Sequence, residues 1–254
     1  ASCSFPISRP DLTGKSLFWY IFTAFFAPWG ATPGTCGNVW AGSIFRPQQR
    51  VFSMNKWLVS GFIILVFTAS GTQAAGDAAE GKAKSVTCLA CHGADGNSPN
   101  PIWPKLAGQH PGYIAKQLAD FKAGARKNDL MTPMALPLSE QDIANLAAYF
   151  SGQTQSAGSA AEGQVALGEK IYRAGNAASG VAACSACHGP TGIGNPSAMY
   201  PRISGQHAAY VEQTLKDFRA GARANDNSQT MRGVAAHLTD AEITAVAQYV
   251  QGLK

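Results

Sequence analysis

Two cysteines separated by two residues, with a histidine directly behind them, occur twice in this chain. They are Cys88-Leu89-Ala90-Cys91-His92 and Cys184-Ser185-Ala186-Cys187-His188. Cysteines three positions apart on a helical turn reach both vinyl groups of one porphyrin, and the histidine that follows sits under the iron. The pentad is the attachment signature of c-type haem. A zinc ribbon needs its cysteine pairs roughly 15–20 residues apart, whereas 96 positions separate Cys88 from Cys184. A thioredoxin-like site needs a βαβ setting, and the sequence around both pentads is alanine-rich and helical in pattern. Two pentads therefore predict two covalently bound haem c groups, with His92 and His188 as axial ligands, and one-electron chemistry.

The pentads sit in a unit that is written twice. Pro104-Lys105-Leu106-Ala107-Gly108-Gln109-His110 returns as Pro201-Arg202-Ile203-Ser204-Gly205-Gln206-His207, and Phe121-Lys122-Ala123-Gly124-Ala125-Arg126 returns as Phe218-Arg219-Ala220-Gly221-Ala222-Arg223. Aligning the last helix of each unit pairs Met131 with Met231 and sets Met134 against Val234, a residue that cannot bind iron. Met131 and Met231 are thus the expected sixth ligands, and Met134 and Met199 read as gap-filling core residues. Soft thioether sulfur raises the reduction potential of a His/Met haem.

A metal-bound histidine normally donates its second ring nitrogen to a carbonyl or carboxylate. Pro104 and Pro201 lie 12 and 13 residues after their histidines, so their carbonyls are candidate acceptors; as loop prolines they also read as plain turn formers. Trp103 and Tyr200 precede them and are expected to pack on the porphyrins. Lys105 and Arg202 follow, either as propionate partners or as solvated charges. His110 and His207 could compete as ligands, but they stand just ahead of a helix, where a helix-start or surface role is the ordinary reading. His237 has no counterpart and reads as solvated.

The elements that must position these residues are all helical. Patterning predicts helices at about 78–90, 111–123, 139–150, 162–175, 208–220 and 239–251. Thr239-Asp240-Ala241-Glu242 fits a capping box and Ser139-Glu140-Gln141-Asp142 its acidic analogue. Behind them Ile143, Leu146, Ala147 and Phe150 form an apolar stripe at helical spacing that Ile243, Val246, Ala247 and Val250 repeat. These stripes should pack the last helix of each half on its first. No stretch alternates like a strand, so the expected fold is all-α: domain 1 over 75–152, a small polar linker over 153–160, and domain 2 over 161–254.

The first 74 residues read differently. Met54-Asn55-Lys56, the apolar run Trp57–Phe67 and the small residues before Ala75 have the order of a secretory signal peptide over 54–74. The run is short of the roughly 20 residues that span a bilayer; left uncleaved, it would hold the protein at the membrane. Residues 1–53 contain no methionine and read as upstream, non-native sequence or else as an N-terminal extension that holds the protein at the membrane, and Cys3 and Cys36 there have no partner motif. Of 20 Lys and Arg in the chain, five lie in 1–74, and of 15 Asp and Glu only one, leaving 15 against 14 in the remainder. The basic excess belongs to the prefix, so it is no argument for nucleic-acid binding or for a steering field.

With its two pentads, the Pro104–Gln109 and Pro201–Gln206 segments and the paired Met131 and Met231, residues 75–254 resemble the di-haem cytochrome c4 group of class I c-type cytochromes. The resemblance implies two cytochrome-c-like domains related by a pseudo-twofold axis, with haem propionates near their interface. It implies a periplasmic or membrane-attached electron carrier, not an enzyme, taking electrons from a quinol-oxidising bc1 complex towards a terminal oxidase, often of the cbb3 type. A di-haem peroxidase also carries two pentads but needs an iron that can open, which two His/Met haems do not offer. A fixed electron-entry subunit of a larger enzyme would share the carrier's chemistry.

Overall fold

The computed structural model describes residues 75–254. The expected signal segment 54–74, the stretch 1–53 and the cysteines within it lie outside the described residues. What is described is helical, with two isolated β-bridges, Asn176–Val181 and Asn195–Tyr200, and no strand among these residues. None of the described helices is long and apolar enough to cross a membrane.

Five helices form each half. The first half has α1 (Ala78–Lys84), α2 (Leu89–His92), α3 (Pro111–Lys122), α4 (Met131–Ala135) and α5 (Glu140–Ser151). The second has α6 (Glu162–Ala174), α7 (Ser185–His188), α8 (Ala208–Ala220), α9 (Thr230–Ala235) and α10 (Asp240–Gly252). In each, the last helix packs on the first and the third: α5 on α1 and α3, α10 on α6 and α8. The apolar stripes supply that packing, since Ile143, Leu146, Ala147 and Phe150, and likewise Ile243, Val246, Ala247 and Val250, are all buried. The Ser139 and Thr239 hydroxyls accept the N3 amides of their helices while Asp142 and Glu242 reach back to the cap amides, so both capping boxes close. The Ser139 amide, the Lys84 ammonium and the Ser139 hydroxyl, all donating to Asp142, hold its carboxyl down at about 2, and the 3.0 Å Lys84–Asp142 pair ties α1 to the start of α5.

The expected helix over 78–90 is broken. It ends at Lys84, passes through a 3-10 turn at Ser85–Thr87 and restarts as α2. The Ser85 hydroxyl donates back to the Lys82 carbonyl at 2.8 Å and the Cys88 amide bonds Ser85 O, three residues back, at 2.7 Å. That competition for local carbonyls tightens the turn and re-aims the pentad. The helices α4 and α9 carry no signal that periodicity can detect at five and six residues. They nonetheless set Met131 and Met231 at positions one and two of a helical turn.

Two glycines let the first and last helices of each half cross closely. A Cβ on Gly81 would stand 2.0 Å from Asn145 O, and one on Gly168 would stand 2.2 Å from Ala245 O. The obstacle is helix backbone in both cases, which cannot swing aside as a side chain can. Gly81→Ala and Gly168→Ala should therefore each force the crossing apart and cost about 1–3 kcal/mol, read as a lowered denaturant midpoint of the haem-loaded protein. A wild-type midpoint in either variant would show that the helices do not approach so closely.

Candidate functional site

Cys88 and Cys184 stand at the N-caps of α2 and α7, and His92 and His188 are the last residues of those helices. All four pentad cysteines are half-buried and free of disulfides. Cys88 packs against the core of the first half and Cys184 against that of the second. Burial raises both thiols, Cys184 to about 11, so neither is a free thiolate near neutral pH. Each histidine is only 6% exposed, and its Nδ1 lies 2.9 Å from a prolyl carbonyl oxygen, Pro104 for His92 and Pro201 for His188. A carbonyl only accepts, so Nδ1 carries the hydrogen and Nε2 keeps its lone pair. Burial also lowers both imidazoles against the opposing pull of that bond, keeping them neutral. Neutral imidazole with a bare Nε2 is the form that ligates iron, so this donor set fits a c-type haem in each half.

Met131 and Met231 are both half-buried, and Met231 packs against the same core as Cys184. The Met131 amide is pinned by the Asn128 side-chain oxygen at 2.9 Å. Ahead of Met231, Ser228 and Gln229 both take positive φ, 51° and 58°, a strained entry into α9 of the kind that concentrates at functional loops. The carbonyls of Leu138 and Leu238, which close these methionine segments, accept from Lys122 and Arg219. Met134 is 41% exposed, so its reading as a core gap-filler is corrected: it lies on the outer side of a single helical turn. Met199, half-buried with φ 59°, instead fills the space against Gly112 of the other half. His237 is exposed.

Of the flanking residues, Tyr200 stands with its ring 6.3 Å from that of His188 at a tilt of 52°, and Trp103 is half-buried. Lys105 is not a solvated charge. It is 5% exposed, burial lowers its ammonium, and Nζ donates to Ser156 O of the linker at 2.9 Å. Arg202 is half-buried and its Nε donates to the Ser204 hydroxyl at 3.1 Å.

Sequence reasoning missed what joins the halves. His110 and His207 do precede helices, but they are not idle surface groups. His110 Nε2 bonds Ile193 O at 2.7 Å and His207 Nε2 bonds Ser98 O at 2.8 Å, each reaching the loop behind the opposite pentad. Gln109 and Gln206 beside them bond the backbone of Arg202 and Lys105 across the interface. The Phe-x-Ala-Gly-Ala-Arg repeat makes a second junction. Gly124 and Gly221 take φ of 73° and 72°, turning the chain so that Arg126 and Arg223 lie 4.6 Å over Phe121 and Phe218. Each guanidinium then crosses over, Arg126 to the Tyr210 hydroxyl at 3.1 Å and Arg223 to Tyr113 at 2.9 Å. Burial alone would raise Tyr210, yet Arg126 and Arg223 override it and pull it down to about 7. The linker is pinned as well: Asn97 bonds Thr154 O and Ser156 N, and Gln251 bonds Ser159 O. The one available signal was that glutamine, histidine and arginine all recur at matching places in both repeats.

The family model for cytochrome c matches residues 78–153 and again 165–254. A cytochrome c4 from Thiocapsa roseopersicina is 56% identical over 177 residues, covering 69% of this chain and 91% of the relative. One from Pseudomonas aeruginosa is 49% identical over 201 residues, 79% of this chain and all of the relative. The crystal structure of reduced recombinant cytochrome c4 from Pseudomonas stutzeri superposes with a TM-score of 0.69 at 49% identity, covering 71% of this chain and 100% of that one.

Removing the His207 imidazole deletes one cross-half hydrogen bond. His207→Ala should destabilise the haem-loaded protein by about 1 kcal/mol in denaturant unfolding, with its visible haem spectrum unchanged. A visible spectrum that reports a changed axial ligand in His207→Ala would instead make His207 an iron ligand.

Proposed function

This chain belongs to the di-haem cytochrome c4 family, and from that premise we propose how its residues hold two haem c groups and which partners the carrier serves. Cys88 and Cys91 anchor one haem in a domain over 75–152, and Cys184 and Cys187 anchor the other in a domain over 161–254. His92 with Met131 would hold one iron, and His188 with Met231 the other. Trp103 and Tyr200 would pack beside the two porphyrins. The observation that carries this reading is the duplicated histidine setting: buried, and bonded through Nδ1 to a prolyl carbonyl at 2.9 Å in both halves.

The bound haems supply one-electron couples, and the protein is an electron carrier. With a histidine and a methionine on each iron, no position is left for peroxide, which supports transfer through exposed porphyrin edges and argues against peroxidase chemistry. Thioether ligation places both potentials high, suited to accepting from a quinol-oxidising bc1-type complex and delivering to a terminal oxidase such as the cbb3 type. The charged–apolar–small order of 54–74 supports export to the periplasm, soluble or held at the inner membrane by that segment. Docking in such a chain is brief and uses small interfaces. Near-equal numbers of acidic and basic residues in 75–254 agree with partners chosen by fit more than by long-range attraction.

Replacing a thioether by imidazole removes the soft ligand from one iron only. Met131→His and Met231→His should each lower one haem's potential and leave the other nearly unchanged in a potentiometric titration. If neither potential moves, Met131 and Met231 are not the axial ligands. The partner assignment is tested separately, by turnover of the wild-type holoprotein between a quinol-fed bc1-type complex and a cbb3-type oxidase; failure to cycle would remove that placement while leaving the ligand set standing.

A further inference from the structure

The peptide unit between Pro104 and Lys105 is held at both ends. Its carbonyl accepts from His92 Nδ1 at 2.9 Å, and its N–H donates to Gln206 Oε1 at 2.8 Å. The unit between Pro201 and Arg202 is held the same way, by His188 Nδ1 at 2.9 Å and by Gln109 Oε1 at 2.9 Å. Each histidine belongs to the same half as its peptide, and each glutamine belongs to the other half.

The amide orientation of both glutamines is determined by their partners. Gln206 Oε1 also accepts the His207 amide at 3.1 Å while Nε2 donates to Lys105 O at 2.9 Å. Gln109 Oε1 accepts the His110 amide at 3.0 Å while Nε2 donates to Arg202 O at 2.8 Å. A flipped amide would set donor against donor at Oε1 and acceptor against acceptor at Nε2. Gln109, Gln206 and Lys105 are all buried, so these bonds act in a low-dielectric setting where hydrogen bonds polarise one another along a chain.

An acceptor on a peptide N–H moves electron density towards the oxygen of the same peptide. A more basic prolyl oxygen draws harder on the histidine Nδ1–H and makes Nε2 a stronger donor to its metal. Stronger donation favours the ferric state, and hydrogen bonding around a haem's ligands is one of the levers that set its potential. We propose that Gln206 and Gln109 are crossed positioning residues: Gln206 sets the potential of the haem anchored at Cys88 and Cys91, and Gln109 that of the haem anchored at Cys184 and Cys187. This rests on the reading of His92 and His188 as iron ligands. In consequence, each haem's potential depends on the domain interface being closed.

Methionine has the length of glutamine and cannot accept the peptide N–H comparably. In Gln206→Met the first haem should become easier to reduce, its oxidised-to-reduced equilibrium shifting roughly threefold to tenfold relative to the second haem. For a one-electron couple tenfold is 59 mV. Gln109→Met should shift the second haem and spare the first. The two waves are assigned by proton NMR of the oxidised haem methyls, and the Nδ1–H resonance of the affected histidine should move with its potential. A merely structural role predicts something else: a loosened interface admits water to both haems and lowers both potentials in either variant.

Gln206→Glu keeps the N–H acceptor while giving up the donor to Lys105 O, and it covers the case in which Gln206→Met does not assemble. It should lower the first haem's potential more than the second's. Equal shifts at both haems, or shifts confined to the variant's own half, would overturn the crossed arrangement. If wild-type spectra lacked histidine–methionine ligation, the ligand reading would fail first, an outcome distinct from unmoved potentials in a protein that shows it.

Discussion

The pentad histidine of each half is held by a hydrogen bond whose far side is gripped by the other half. The histidine leans on a prolyl carbonyl, and the peptide carrying that carbonyl is gripped from behind by a glutamine across the interface. Around this grip the remaining cross-half bonds fall into place. The following histidine reaches the loop behind the opposite pentad, the buried Lys105 ties the peptide to the linker, and the arginine–tyrosine pairs brace the far side. The glutamine, histidine and arginine–tyrosine contacts each have a counterpart from the other half, as a pseudo-twofold relation requires, whereas Arg202, the counterpart of Lys105, bonds Ser204 and not the linker.

The helical framework serves that arrangement. A unit of roughly 80–95 residues buries too little surface to be secure by itself, so each half depends on tight crossings, closed caps and, when loaded, the apolar bulk of its porphyrin. The glycine crossings of α1 with α5 and α6 with α10 bring backbones together and leave the inner faces of α3 and α8 for the core. The methionine segments, both short and the second strained at its entry, are held from behind by Lys122 and Arg219 on the long helices. Stiffness of this kind suits an electron carrier, since a site that does not rearrange between oxidation states transfers electrons at low reorganisation cost.

Much of this was legible in the sequence. The pentads announce covalent haem because no other chemistry asks for that spacing twice. The internal repeat converts an ambiguous set of methionines into one pair, and the two apolar stripes and capping boxes locate the terminal helices to within a residue or so. Local pattern fails where the determinant is not local. The break at Ser85 depends on a hydroxyl competing for a carbonyl, and α4 and α9 are too short for periodicity to register. Met134 reads as core in an apolar stretch, yet it lies on the outer side of its turn while Ala135 beside it is buried. The glutamine, histidine and arginine that join the halves find their partners 80 to 110 residues away, and no window along the chain contains both ends of such a bond.

Carrier function in this molecule depends most directly on two closed, histidine–methionine-ligated haems in one chain. A potentiometric titration of the holoprotein covering 75–254, followed by its visible bands, tests this in one experiment. Two one-electron waves, both well above zero and each accompanied by ferric methionine-ligation absorbance, are the predicted result. A single strongly negative wave, or a reduced haem that readily takes up carbon monoxide, would mean another ligand or an open iron, and would contradict the account.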